Sequence, residues 1–173
     1  MSKINQLSSA VYNRIAAGEV VERPYSVVKE LVENSIDSGA KNVTIEIEHG
    51  GTTFIRVTDD GSGIEKSELK KALLPHATSK ISKASDLDNI VTLGFRGEAL
   101  ASIASVSKIT IISKPQNQEN GASIHAEGGV MEDVTDCAAA NGTVITVNNL
   151  FFNTPAREKF LKTPKGEESD ISA

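Results

Sequence analysis

The chain has 173 residues, 39% of them hydrophobic, and carries 23 acidic against 18 basic side chains for a net charge of −5; this is enough chain for one hydrophobic core and argues for one domain. Its acidic balance, with a pI near 5.3, argues against a dedicated nucleic-acid module, whose electrostatic footprint is basic. A single cysteine, Cys137, excludes an internal disulfide or a multi-thiolate zinc site and is expected to be buried and inert, and with no apolar run near the ~20 residues that span a bilayer and no secretory layout in Met1–Ser9 the sequence reads as a soluble intracellular protein.

Ser8 or Ser9 can cap a short helix through Tyr12–Ala17 that ends at Gly18. The stretch Pro24–Gly39, PYSVVKELVENSIDSG, predicts a second helix, because Pro24 suits a first turn, Gly39 suits a stop and nothing between them breaks it. At ~100° of rotation per residue, Glu30, Asn34 and Asp37 fall within roughly 60° of one another, with Val28, Leu31, Val32 and Ile36 opposite. The expected helix has one core face and one face of two carboxylates and an amide. Simple solvation would explain such a face on an arbitrary amphipathic helix; the segments that follow give it a chemical context.

Val43–Glu48 alternates as VTIEIE, Gly50 and Gly51 mark a turn, and Phe54–Thr58 alternates as FIRVT, which predicts a hairpin. Asp59 then stands at the strand end, where a carboxylate can accept a hydrogen bond from an exocyclic amino group, and Gly61 and Gly63 would let a flat base approach the backbone. DDGSG at 59–63 also fits an Asx-type loop or part of a dinucleotide fingerprint. The fingerprint fails because Lys66 occupies the place of its third glycine, and no G-x-x-x-x-G-K-[ST] occurs, which excludes a P-loop.

Glu65–Leu73 predicts a short amphipathic helix, and the polar run 74–93 that follows, with His76, Thr78, Ser79 and Lys80, has the length of a functional lid. His76 is read as structural. Gly94 and Gly97 stand ahead of a helix with Ala99, Leu100 and Ile103 on its apolar side, and a glycine-flanked helix N-terminus is a ready anion site. Strands are predicted at Lys108–Ser113, at Ala122–Glu127 and Val130–Val134 paired around Gly128 and Gly129, and at Gly142–Val147, where Thr143 alone is an unremarkable β-branched residue. Thr154–Leu161 has Thr at a cap and Pro at the first helical position, and Lys165–Ala173 reads as the start of another helix.

AAGEVVERP at 16–24, ELVENSIDSG, DDGSG, HATSK at 76–80, GFRGEALASI at 94–103 and FNTPAR at 152–157 closely resemble the MutL mismatch-repair family. That family is a branch of the GHKL ATPases, with DNA gyrase B, heat-shock chaperones and sensor histidine kinases. The two shared ATPase motifs indicate only the superfamily, whereas GFRGEALASI, HATSK and FNTPAR together point to MutL. The resemblance implies an α/β two-layer sandwich, a mixed and largely antiparallel sheet with helices on one face, binding ATP and Mg2+. It implies Glu30 as the base that orients and deprotonates the attacking water, and Asn34 as the Mg2+ ligand. Asp37 would lie at the nucleotide, and Asp59 would read the adenine amine with Gly61, Gly63 and Thr143 beside it. Thr78, Ser79 and Lys80 would lie in the lid near phosphate, and Gly94, Phe95, Arg96, Gly97, Glu98, Ala99 and Leu100 would cradle the phosphates.

The same resemblance implies slow hydrolysis that works as a switch. ATP orders the lid and the N-terminal arm, two N-terminal domains form a homo- or heterodimer, and the closed form signals from a MutS-type mismatch-recognition protein to strand removal. DNA contact is expected to be weak or through other parts, with no membrane; the location is cytoplasmic and nucleoid-associated if bacterial, nuclear if eukaryotic. In the family the ATPase region continues into a transducer subdomain that supplies a γ-phosphate lysine, followed by a C-terminal dimerisation domain. Residues 1–173 are therefore expected to be an N-terminal ATP-binding domain incomplete at its C-terminal end, weakly active or inactive alone. Two alternatives stay open: a related ATPase of topoisomerase or chaperone type, and a nucleotide-binding fragment without turnover.

Overall fold

The computed structural model describes residues 21, 23–74, 99–155, 159, 161 and 164–172. Period-two alternation builds its sheet. The strands are β1 (Val43–Glu48), β2 (Phe54–Asp59), β3 (Lys108–Lys114), β4 (Gly121–Glu127), β5 (Val130–Met131), β6 (Thr135–Cys137) and β7 (Gly142–Asn148), in the order β1-β2-β7-β3-β4-β5, with β6 also on β4. Every pairing among the described residues is antiparallel, which narrows the expected mixed sheet to an antiparallel one.

Register aligns the strands' inward side chains into rows that cross the sheet. Ile55, Val147, Ile109 and Ala126 form one row, and Val57, Ile145, Ile111 and Ile124 form the next, all buried. Burying each of the larger side chains is worth about 1.5–3 kcal/mol, so these two rows supply much of the driving force for folding. The third row departs from them. It reads Asp59, Thr143, Ser113 and Ala122, polar where its neighbours are apolar. The opposite sheet face is half-buried and polar; there Thr110 bonds His125 Nδ1 at 2.7 Å and His125 Nε2 lies 3.1 Å from Glu127.

The helices are α1 (Pro24–Asp37), α2 (Lys66–Ala72), α3 (Ala99–Ser105) and α4 (Pro164–Ser172). Val27, Val28 and Leu31 of α1, Leu69 of α2 and Ile103 of α3 belong to one buried cluster with the inward rows of the sheet. The apolar face expected for α1 is rotated. Pro24, Val27, Val28, Leu31 and Ser35 are buried, and so are Glu30 and Glu33, whereas Ile36 is 53% exposed and Val32 only partly buried. The helix is covered around more than half its circumference, and its solvent side is the strip Tyr25, Lys29 and Ile36. The expected core face included Ile36, which instead lies on that strip, because Glu30 and Glu33 are covered despite their charge.

The β1–β2 hairpin turns through a short 3-10 segment, His49–Gly51. A Cβ on Gly51, whose φ is +88°, would stand 2.8 Å from Pro24 Cβ and 3.2 Å from Ile171 Cδ1, so this turn touches both α1 and α4. Arg23, just ahead of α1, donates to the fully buried Glu167 of α4 at 2.7 Å. The strand expected at Val130–Val134 is split. Met131 faces Ala126 while Thr135 faces Ser123, so four residues advance against three, a β-bulge that separates β5 from β6. Cys137, at the end of β6, is half-buried rather than buried, because β6 pairs only with β4 near the sheet margin. The helix expected at 8–18, all but Leu74 of the lid expected at 74–93, and residues 156–158 and 160 of the helix expected at Thr154–Leu161 lie outside the described residues.

Candidate functional site

The polar third row is where the chemistry gathers. Asp59 closes β2 and faces Thr143 at the start of β7. Its Oδ2 accepts from Ser35 Oγ at 2.8 Å and its Oδ1 from the Gly61 N–H at 2.9 Å. The Ser35 oxygen also lies 3.2 Å from Leu31 O, but its single hydrogen favours the shorter, charge-assisted contact. Ser35 stands one residue after Asn34 and five after Glu30 on α1. This bond therefore fixes the helix that carries Glu30 and Asn34 against the carboxylate of Asp59. Glu30 is 3% exposed, Asn34 is half-buried, and Asp37 is exposed at the last residue of the helix.

Two adjacent aspartates are separated by this geometry. Asp60 faces the other way and is exposed, accepting from the Asn42 side-chain amide at 2.8 Å, the Asn42 N–H at 2.9 Å and the Lys41 N–H at 2.8 Å. Those bonds, the Asn42 side chain first, lower its carboxyl from 3.8 to about 2. Asp60 is a staple between the end of β2 and the approach to β1. Asp59 alone faces the helix.

The loop after Asp59 is tied down by a buried hydroxyl pair. The Ile64 N–H donates to Ser113 Oγ at 2.7 Å; Ser113 Oγ lies 3.0 Å from Gly142 O and 2.8 Å from Thr143 Oγ1. A Cβ on Gly63, φ +76°, would meet Lys114 O at 2.6 Å, and one on Gly142, φ +112°, would meet Asp59 O at 2.0 Å. Gly61 is close to Ser38 Oγ in the same way, at 2.0 Å. Glycine at 61 and 63 is therefore required by the protein's own packing, whatever a ligand adds.

Of the residues named from the sequence, the structure brings Asp59, Gly61 and Thr143 together and links them to the helix of Glu30 and Asn34. Ala99 is buried and Leu100 half-buried at the start of α3. Thr78, Ser79, Lys80, Gly94, Phe95, Arg96, Gly97 and Glu98, with His76, lie outside the described residues. Ser35 and Ser113 were missed. The signal for Ser113 was available: it sits four places after Ile109 and two after Ile111 on the inward side of a strand, where an unpartnered hydroxyl would be costly. A surface depression of about 700 Å³ is lined by Ser38, Lys41, Asp60, Gly61, Gly63 and Asn117 among others. Its lining includes neither Glu30, Asn34 nor Asp59. No group of acidic, histidine or cysteine side chains among the described residues could by itself hold a metal ion, and no helix among them is long and apolar enough to cross a membrane.

An antiparallel sheet, a buried glutamate on a helix packed against it and an aspartate–glycine loop at a strand end fit a nucleotide-binding ATPase class. The sequence pattern of the histidine kinase-, DNA gyrase B- and HSP90-like ATPases matches residues 22–147, and the chain belongs to that family, in its MutL branch. DNA mismatch repair protein MutL of Clostridium acetobutylicum is 60% identical over 170 residues, covering 98% of this chain and 27% of that protein. The MutL of Clostridium beijerinckii is 57% identical over 172 residues, covering 99% and 26%. The chain thus spans about a quarter of the length of these relatives. Among solved structures, the Aquifex aeolicus MutL ATPase domain complexed with ADP superposes with a TM-score of 0.68 at 35% identity, covering 88% of this chain and 53% of that one. The N-terminal domain of a DNA repair protein gives a TM-score of 0.78 at 34% identity, covering 96% and 49%.

Proposed function

We propose that this chain forms the adenine-nucleotide site of a MutL-type mismatch-repair ATPase, and that in the longer protein ATP binding and slow hydrolysis work as a dimerisation switch. The observation that carries the reading is the bond from Ser35 to Asp59, which puts a base-reading carboxylate and the helix of Glu30 and Asn34 in one fixed frame. Hydrolysis of a phosphoanhydride needs an aligned water, a group to take its proton and neutralisation of charge on the phosphoryl oxygens. Glu30 orients the water and takes the proton. Its burial lets it act without bulk water competing for its hydrogen bonds. Asp59 selects the base, with Thr143 beside it.

Mg2+ fits the donor set. It favours oxygen ligands and takes one or two from protein with the rest from phosphates and water. The amide oxygen of Asn34 would be a protein donor, and the bound ion would neutralise charge on the phosphates. Thr78, Ser79, Lys80 and the 94–100 segment supply the remaining phosphate contacts. In the longer protein the partners are a second MutL-type N-terminal domain and a MutS-type mismatch-recognition protein.

The test pairs a nucleotide-binding titration with phosphate release in the full-length protein. Glu30→Ala is expected to keep ATP affinity within a few fold, since it removes no nucleotide ligand, and to abolish turnover. Turnover equal to wild type would remove Glu30 from the mechanism; loss of ATP binding by wild type would remove the reading altogether.

A further inference from the structure

We propose that Ser113, a residue too deeply buried to touch any ligand, determines which bases the site accepts by fixing the direction of the Thr143 hydroxyl. This rests on the adenine-nucleotide reading above. Ser113 is 1% exposed and Thr143 7%, and the two face each other across the β3–β7 pair in the same inward row as Asp59.

A serine hydroxyl has one hydrogen to give and two lone pairs to receive. Ser113 Oγ has three neighbours: the Ile64 N–H at 2.7 Å, Gly142 O at 3.0 Å and Thr143 Oγ1 at 2.8 Å. The amide can only donate, so it takes one lone pair. The carbonyl can only accept, so it takes the hydrogen. Only one way then remains to make the third contact a hydrogen bond: Thr143 donates its own hydrogen to the second lone pair of Ser113. In any other arrangement one of the three contacts is lost, in a place closed to water where an unmade bond is costly.

The consequence lies on the exposed side of Thr143. With its hydrogen spent on Ser113, the threonine oxygen can offer a ligand lone pairs only. Asp59, ionised, offers lone pairs only as well. The Asp59–Thr143 pair therefore presents two acceptors and no donor, which matches an exocyclic amino group with its two N–H bonds. It opposes a carbonyl oxygen at the same position. Ser113 is thus a positioning residue for specificity between 6-amino and 6-oxo purines, acting through Thr143.

The experiment measures dissociation constants of ATP and inosine triphosphate, which differ at that position, for the 173-residue chain and its Ser113→Ala variant. Removing the Ser113 hydroxyl frees the Thr143 hydrogen to turn towards a carbonyl. The ATP to inosine triphosphate preference is expected to narrow by about tenfold, the worth of one hydrogen bond, chiefly through tighter inosine triphosphate binding. A uniform weakening of both nucleotides, with the preference intact in a folded variant, would overturn the proposal while leaving the adenine reading standing. Wild-type protein that bound neither nucleotide would overturn both. Should Ser113→Ala fail to fold, Thr143→Val decides: it should weaken ATP and leave inosine triphosphate unharmed, and greater loss for inosine triphosphate would show that Thr143 donates to the ligand and that the proposal is wrong.

Discussion

Replacing Asp59 by asparagine tests the site at its centre, because the surroundings allow the change to be followed atom by atom. Asp59 Oδ1 accepts from the Gly61 N–H and Oδ2 from Ser35 Oγ. The Gly61 N–H needs an acceptor, so the asparagine oxygen keeps the Oδ1 place and its amino group takes the Oδ2 place. Ser35 then accepts from that amino group and turns its own hydrogen to Leu31 O, already 3.2 Å away. No donor or acceptor is stranded, so the folding free energy should change by less than about 1 kcal/mol, the worth of an ordinary hydrogen bond. Binding should fare differently. A carboxylate acceptor is lost and a donor now faces the base's own amino group; a hydrogen bond to a charged group is worth about 1.5–3 kcal/mol, or roughly ten- to a hundredfold in ATP affinity at 1.4 kcal/mol per decade. Inosine triphosphate, which presents a carbonyl, should gain. Urea unfolding monitored by circular dichroism gives the first number and calorimetric titration with both nucleotides the second. An unchanged preference for ATP would show that Asp59 does not read the base, and a stability loss above about 3 kcal/mol, beyond the cost of one stranded buried group, would show that Ser35 cannot switch partners as argued.

Gly142→Ala should destabilise the fold by more than the about 1–3 kcal/mol of backbone strain alone, since at φ +112° its new Cβ would sit 2.0 Å from Asp59 O, a backbone atom that cannot swing away; an unchanged urea midpoint would refute the close approach of β2 and β7. Asp60 titrates at about 2 when folded against an ordinary 3.8, so its staple is fully present above the higher value and is lost as pH falls through the lower one. Thermal melts of wild type and Asp60→Ala should accordingly differ at pH 5 and converge near pH 2, and a gap that stays constant over that range would dismiss the carboxylate as its source.

The sheet was legible because its strands alternate: VTIEIE, FIRVT, KITIIS and GTVITV all fold as strands, the last three with buried residues at every second place and VTIEIE as an exposed edge. What alternation cannot convey is which strands become neighbours, so the row joining Asp59, Thr143 and Ser113 exists only once β7 lies between β2 and β3. Asp59 could be named because a carboxylate before a glycine pair is conspicuous, whereas Ser35, in the middle of a helix, looks like polar filler until its partner arrives from another strand. The face of α1 was misjudged for the opposite reason. Ile36 is apolar and expected on the core side, yet it is exposed, while Glu30 and Glu33 are buried; a helical wheel has no means of showing that a second surface covers the polar side. The bulge that separates β5 from β6 has no marker in the sequence, since Glu132–Val134 contains neither glycine nor proline.

The strand order also has a bearing on how such a chain can assemble. Among the described strands β7 comes last in the chain and is the only one bonded to both β2 and β3, so without residues 142–148 the described β1–β2 ribbon and the ribbon of β3 with β4 share no ladder. A polypeptide emerging from its N-terminus therefore holds two separate ribbons, each with an apolar side and an unpaired inner edge, the arrangement most prone to pairing with a stranger. Closure must wait for a segment some ninety residues downstream of β2, a long-range event whose loop entropy has to be met in one step. The strand that brings Thr143 to Asp59 is the same one that ends this vulnerable interval, so completing the sheet and completing the row of Asp59, Thr143 and Ser113 are one event.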